Sequence, residues 1–151
     1  MIDKLDKEIL NEMNKNARLS FRDIAKILGV SVATISHRVK KMEDLGIIKG
    51  YIPLLDQKKV GYDFTAVIEI SIEKGRLSNV EKKLAEFDNT LGVYDITGLY
   101  DALVIARFKD RDHLNDFIKK IQKFEFVQKT YTSIVLEVVK EDIRIKFNQR
   151  S

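Results

Sequence analysis

Residues Ser20–Gly46 read SFRDIAKILGVSVATISHRVKKMEDLG. Ala25, three residues, Gly29, five residues, Ile35, three residues and Val39 make up the spacing of a helix-turn-helix. Each position has a mechanical reason. Ala25 is small where two helices cross closely, Gly29 makes the turn, Val30 and Ile35 fill the angle between the helices, and Val39 continues the buried stripe. The ends agree with this. Ser20 opens the first helix, with Asp23 well placed against the helix dipole, and Gly29 can take the left-handed conformation that closes it. Ser31 caps the next helix, Ile35, Val39, Met42 and Leu45 share one face of it, and Gly46 ends it. That burial leaves Val32, Ala33, Thr34, Ser36, His37, Arg38, Lys40 and Lys41 facing outward.

Upstream, Asp3 can cap a helix whose apolar residues Leu5, Ile9 and Met13 recur every fourth position, with Leu10 widening the stripe. Downstream, Ile48-Lys-Gly-Tyr51 suggests a short strand that the single proline, Pro53, interrupts, and Asp56-Gln-Lys-Lys59 reads as a linker. After it the period changes from 3.6 to 2, and Phe64, Ala66, Ile68, Ile70 and Ile72 alternate as in a strand. A helix carrying Leu77, Val80, Leu84 and Phe87 follows. Strands around Val93–Thr97 and Ala102–Phe108 are joined by the turn Gly98-Leu-Tyr-Asp101. A second helix carries Leu114, Phe117, Ile118 and Ile121, and a long strand runs from about Val127 to Lys140. The fold class is α+β: an N-terminal helix-turn-helix three-helix domain over 1–50, a strand and linker over 51–62, and a ferredoxin-like βαββαβ domain over 63–151.

Two helices cover one face of a four-stranded sheet, yet Leu103 and Ile105 are apolar opposite Ala102, Val104, Ala106 and Phe108. The last strand repeats this, with Val135 and Val139 opposite Ile134, Leu136 and Val138. The expectation is a two-fold contact with a second copy, the alternative being a linker folded back over the face. The tail Asp142-Ile-Arg-Ile-Lys-Phe147 alternates too and reads as an added strand that supports assembly.

Composition narrows the function classes. The chain has no cysteine, which removes disulfides, thiolate metal sites and a cysteine nucleophile. Its longest apolar run, Ala102–Ala106, is far short of a membrane span, and the acidic opening Met1-Ile-Asp-Lys-Leu-Asp is unlike a signal peptide. A soluble, intracellular (cytoplasmic) protein is expected, with no membrane partner. The net charge is +4, and residues 1–50 hold ten Lys/Arg against seven Asp/Glu, so most of the excess sits in the first third. An anionic partner for that third is the natural reading.

The outward face of the third helix suits a recognition helix. Short polar residues near its start meet base edges, while cations further along reach phosphates. The candidate DNA-binding residues are Ser31, Thr34, Ser36, His37, Arg38, Lys40 and Lys41; the alternative is a three-helix bundle with a solvated basic face. His113 reads as a solvated residue at a helix start, and no His/Asp/Glu cluster has ligand spacing, so no metal is expected. Glu43-Asp44, Asp110/Asp112 and Glu141-Asp142 read as surface acids, and no nucleophile motif or phosphate-cradling loop appears, so no enzyme is expected. Thr97–Asp101 and the polar run Thr130-Tyr-Thr-Ser133 form a second candidate site, with a plain turn and cross-strand hydroxyl bonds as the alternatives.

Together these residues resemble the Lrp/AsnC family of feast/famine transcription regulators, and the likeness covers nearly the whole chain. It rests on Ile2-Asp-x-x-Asp6, the helix-turn-helix, Gly46-Ile-Ile-Lys-Gly-Tyr51 and the βαββαβ domain with its Gly-x-x-Asp turn. The resemblance implies homodimers that assemble to octamers and bind palindromic double-stranded operators. It also implies an amino-acid effector, and no other cofactor, that tunes assembly and DNA affinity, an archaeal member being expected. By match, the effector residues are Gly98, Tyr100, Asp101, Thr130 and Thr132. Leu99 stands where the family commonly has an acidic or polar residue, which points either to a different effector or to a pocket that does not work. The rival of another class is a metabolite-binding oligomeric module without DNA binding.

Overall fold

The computed structural model describes residues 2–148, which divide into two compact units. The first contains residues up to Leu54 together with those from Lys140 onward, and the second spans Leu55–Val139.

The N-terminal unit is built on α1 (Lys4–Lys15), α2 (Phe21–Leu28) and α3 (Val32–Asp44). Reciprocal capping boxes open the first two. Asp3 accepts the Asp6 N–H while Asp6 accepts the Asp3 N–H, both at 3.0 Å, and Ser20 and Asp23 exchange the equivalent bonds at 3.1 Å. Gly29 closes α2 at φ +68°, and the Ser31 hydroxyl accepts the Thr34 N–H at 3.0 Å to open α3. The buried core is Ile9, Ile24, Ala25, Ile35, Val39 and Met42, with Leu5, Leu10, Met13, Leu28, Val30 and Ile48 packed around it. The strand expected over Ile48–Tyr51 does not form. The Ile48 N–H donates to the Met42 carbonyl at the end of α3 at 3.1 Å rather than to a strand, and the Tyr51 hydroxyl donates to Glu43 at 2.8 Å.

The second unit holds β1 (Phe64–Ile72), α4 (Leu77–Ala85), β2 (Thr90–Asp95), β3 (Ala102–Phe108), α5 (Arg111–Gln122) and β4 (Val127–Ile134). All pairings are antiparallel and the strand order is β2-β3-β1-β4, which is the ferredoxin-like arrangement expected. Ala66, Ile68, Ile70 and Ile72 of β1 and Ala102, Val104, Ala106 and Phe108 of β3 are buried beneath Val80, Leu84, Leu114, Phe117 and Ile121 of the helices. On the other face Val67, Leu103 and Ile105 are half-buried, and Tyr94 and Tyr131 are exposed.

Two expectations change at the C-terminal end. β4 stops at Ile134 rather than near Lys140, because its partner β1 begins at Phe64; the Val135 N–H makes one further bond, to the Thr65 carbonyl at 2.9 Å, and the ladder has no more rungs. The tail is extended but forms no strand, and from Lys140 onward it packs with the N-terminal unit instead of completing the second domain. Asparagine side chains of α1, not another strand, take up its backbone groups.

Candidate DNA-binding and effector sites

Burial of Ile35, Val39 and Met42 fixes which way α3 faces. Val32, Ala33, Ser36, His37, Lys40 and Lys41 are exposed along one side, as their spacing predicts. Ser31 and Thr34 sit at the helix start with their hydroxyls 2.8 Å apart. Lys40 is only loosely engaged, its Nζ 4.0 Å from Asp44.

Arg38 behaves differently from its neighbours. Its guanidinium turns back onto the first turn of α1, where it pairs with Asp3 and reaches Asp6 at 3.2 Å. Asp6 is a buried charge, 5% exposed, so Arg38 is its counter-ion. The Asp6 N–H and then Arg38 hold the Asp3 carboxyl below its usual range, and Asp3 raises the guanidinium in turn. Arg38 was expected among the phosphate contacts, but its charge is committed within the domain. In the sequence Asp3 reads as the cap of its own helix and Asp6 only as part of the Ile2-Asp-x-x-Asp6 opening, and neither role points to a residue 32 to 35 positions away.

At one end of the sheet, the turn between β2 and β3 closes with the Ile96 N–H donating to the Asp101 carbonyl at 3.0 Å. Asp101 is tied to β1 twice: its N–H donates to the Ile70 carbonyl at 3.0 Å, and its carboxylate accepts the Ile72 N–H at 2.7 Å. Leu99 is 88% exposed, and Gly98 has φ +127° with open space where a Cβ would stand. The Tyr100 ring lies 6.3 Å from that of Tyr131, tilted by 32°.

Register decides which residues of β4 join this group. Tyr131 is opposite Glu69, on the face that the helices leave open. Thr130 and Thr132 are opposite Ile70 and Ile68, on the helix-covered face, and Gln122 of α5 donates to the Thr130 hydroxyl at 3.2 Å. The structure therefore brings Gly98, Tyr100, Asp101 and Tyr131 to one side and sets Thr130 and Thr132 on the other. Two-residue periodicity marked two faces of β4, but only the register against β1 says which is which.

Two family models match. One, described as the Lrp/AsnC ligand binding domain, covers residues 65–145, and the other, a winged helix-turn-helix DNA-binding model, covers residues 2–49. The chain is 43% identical over 146 residues to an HTH-type transcriptional regulator of Pyrococcus abyssi, spanning 97% of this chain and 99% of that one. The chain belongs to the Lrp/AsnC family. Its fold superposes on E. coli AsnC with a TM-score of 0.86 at 34% identity, covering 96% of this chain and 99% of that one. It also superposes on the Neisseria meningitidis transcriptional regulator NMB0573, solved as an L-Met complex, with a TM-score of 0.88 at 26% identity and 98% of each chain.

As an Lrp/AsnC protein it is a DNA-binding transcriptional regulator, with the helix-turn-helix in its first unit and the ligand-binding fold in its second. Among the described residues no helix is long and apolar enough to cross a membrane, and no group of three or more His, Cys, Asp or Glu is placed to hold a metal.

Proposed function

We propose that this Lrp/AsnC regulator docks α3 into the major groove of a palindromic operator. Thr34, Ser36 and His37 meet base edges, Lys40 and Lys41 meet phosphates, and the Ser31 end of the helix lies against the backbone. One observation carries the reading: the side of α3 away from the core exposes Ser36, His37, Lys40 and Lys41 together, Lys40 only loosely held by Asp44, with Arg38 withdrawn from it. A phosphate contact carries no sequence information, so Lys41→Ala weakens binding to all duplexes alike. It lowers the slope of log affinity against log salt by about 0.9. Mobility shift with DNA from upstream of its own coding sequence, at several salt concentrations, tests this; unchanged binding by the variant overturns the role.

The effector is an amino acid held at the Gly98–Asp101 turn, with Tyr100 and Tyr131 as the aromatic wall. The ligand-binding description of the matched model and the L-Met complex of the Neisseria relative support this class. The carboxylate of Asp101 is suited to an ammonium group, and the open space at Gly98 admits a ligand close to the backbone. Thermal unfolding in a panel of the common amino acids identifies the effector: free ligand at a hundred times its dissociation constant raises stability by about 2.7 kcal/mol. The shift disappears in Asp101→Ala, and an undiminished shift in that variant removes Asp101 from the site.

The same regulator works as a homodimer that assembles further, through the half-apolar sheet face of Val67, Leu103 and Ile105. It works in the cytoplasm at the nucleoid, with no catalytic activity of its own.

A further inference from the structure

Asn11 and Asn14 lie one turn apart on α1 and both face the tail. The Asn11 amide donates to the Phe147 carbonyl at 2.7 Å and accepts the Phe147 N–H at 3.0 Å, so one side chain satisfies both backbone groups of one residue. Asn14 donates to the Ile145 carbonyl at 2.8 Å, two residues back along the extended segment. The two amides stand where a neighbouring strand would stand.

Charge completes the fit. The Arg144 guanidinium donates to the Asn14 carbonyl at 3.3 Å, in the last turn of α1, where free carbonyls and the helix dipole favour a cation. Asp142 holds Arg144 in place through bonds of 2.7 and 3.1 Å and pairs with Lys146 at 3.2 Å; Arg144 and then Lys146 keep its carboxyl far below the usual range. Arg144 and Lys146 line a cleft of ≈ 630 Å³ together with Glu8 and Glu12 of α1 and with Ile27 and Leu28 of α2. The cations of the tail pair with Asp142 of the same segment, and Glu8 and Glu12 with Lys4 and Lys15 of α1, so the asparagine amides and the Arg144 bond to the Asn14 carbonyl are what join tail to helix.

We propose that this face of α1 is a docking site for an extended peptide, that its occupant is the chain's own segment Asp142–Phe147, and that docking sets DNA affinity. The last turns of α1 hold the segment, while its first turn holds Arg38 of α3 through Asp3 and Asp6. One helix therefore connects the tail to the recognition helix. Because the amides grip backbone rather than side chains, docking tolerates changes at Ile145.

A chain ending at Val139 and a full-length Asn11→Ala/Asn14→Ala variant test the proposal, with thermal unfolding of the N-terminal unit and affinity for the upstream duplex as readouts. Both variants unfold at lower temperature and bind DNA about tenfold more weakly than the parent. A synthetic peptide of residues 140–148 restores the truncated chain but not the asparagine variant. Unchanged unfolding and affinity in the asparagine variant, or a peptide that rescues both variants equally, overturns the proposal. The inference rests on the DNA-binding reading of α3, but the unfolding readout does not, so failure of the parent to bind the duplex is separable from failure of the tail to dock.

Discussion

Arg38 sits where two patterns overlap, one facing DNA and one facing the domain. Three residues from Ile35 and one from Val39, it lies at the edge of the buried stripe, and its length lets the guanidinium reach α1. Removing it leaves Asp6 buried without a counter-ion, which costs more than losing a surface pair. Arg38→Ala therefore lowers the unfolding temperature of the N-terminal unit by several degrees. Arg38→Lys recovers part of the loss, since a single guanidinium nitrogen makes both contacts and an ammonium on a shorter stem stands in for it as a point charge. Lys41→Ala leaves the temperature unchanged while weakening DNA binding. Calorimetry and mobility shift on the three variants separate a structural cation from a DNA-facing one, and an Arg38→Ala protein as stable as the parent removes the distinction.

The turn between α2 and α3 shows the same logic one scale up. Gly29 takes φ +68°, and nothing lies within 4 Å of where a Cβ would be, so its cost of replacement is conformational alone. Gly29→Ala destabilises the unit by about 1 kcal/mol, read from the shift in its denaturation midpoint. A neutral result would mean that the turn re-forms in another conformation. Elements like these were legible because their signals are local: Asp3, Ser20 and Ser31 cap where they stand, and the alternation from Phe64 to Ile72 names its own buried face. What was not legible depended on partners distant in the chain. The end of β4 is set by where β1 begins, the faces of Thr130 and Tyr131 are set by Ile70 and Glu69, and Phe147 meets Asn11 across 136 positions. The alternation of Ile143, Ile145 and Phe147 reads as an added strand, but no strand forms there, and side-chain amides of α1 take up the segment's backbone groups instead.

On the scale of the whole chain, the two units have separate cores and carry their perturbed acids unequally. In the N-terminal unit Asp3, Asp23 and Asp142 all titrate below the ordinary 3.8: the Asp6 N–H acts first on Asp3, the Ser20 hydroxyl on Asp23 and Arg144 on Asp142. In the second unit the His113 N–H lowers Asp110, while burial and then the charge of Asp95 raise Glu81 above 4.5. A lowered carboxyl binds its proton less tightly when native than when unfolded, so its contribution is present above the unfolded value and lost as pH falls through the native one. For the raised Glu81 the sign reverses, and its contribution is fully present below the unfolded value and lost as pH rises through the native one. Acidifying from about pH 6 to about pH 3 thus begins to withdraw three such contributions from the N-terminal unit, whereas in the second unit the gain at Glu81 opposes the loss at Asp110. Calorimetric scans across that range show the N-terminal transition moving down faster and separating from the other. Asp23→Asn, which removes one of the three carboxylates, reduces the separation, and transitions that fall together in the parent would mean that the paired acids of the first unit do not govern its acid stability. Because the DNA-facing helix and the docked tail belong to the unit that yields first, DNA affinity declines over the same acid range while the second unit stays folded.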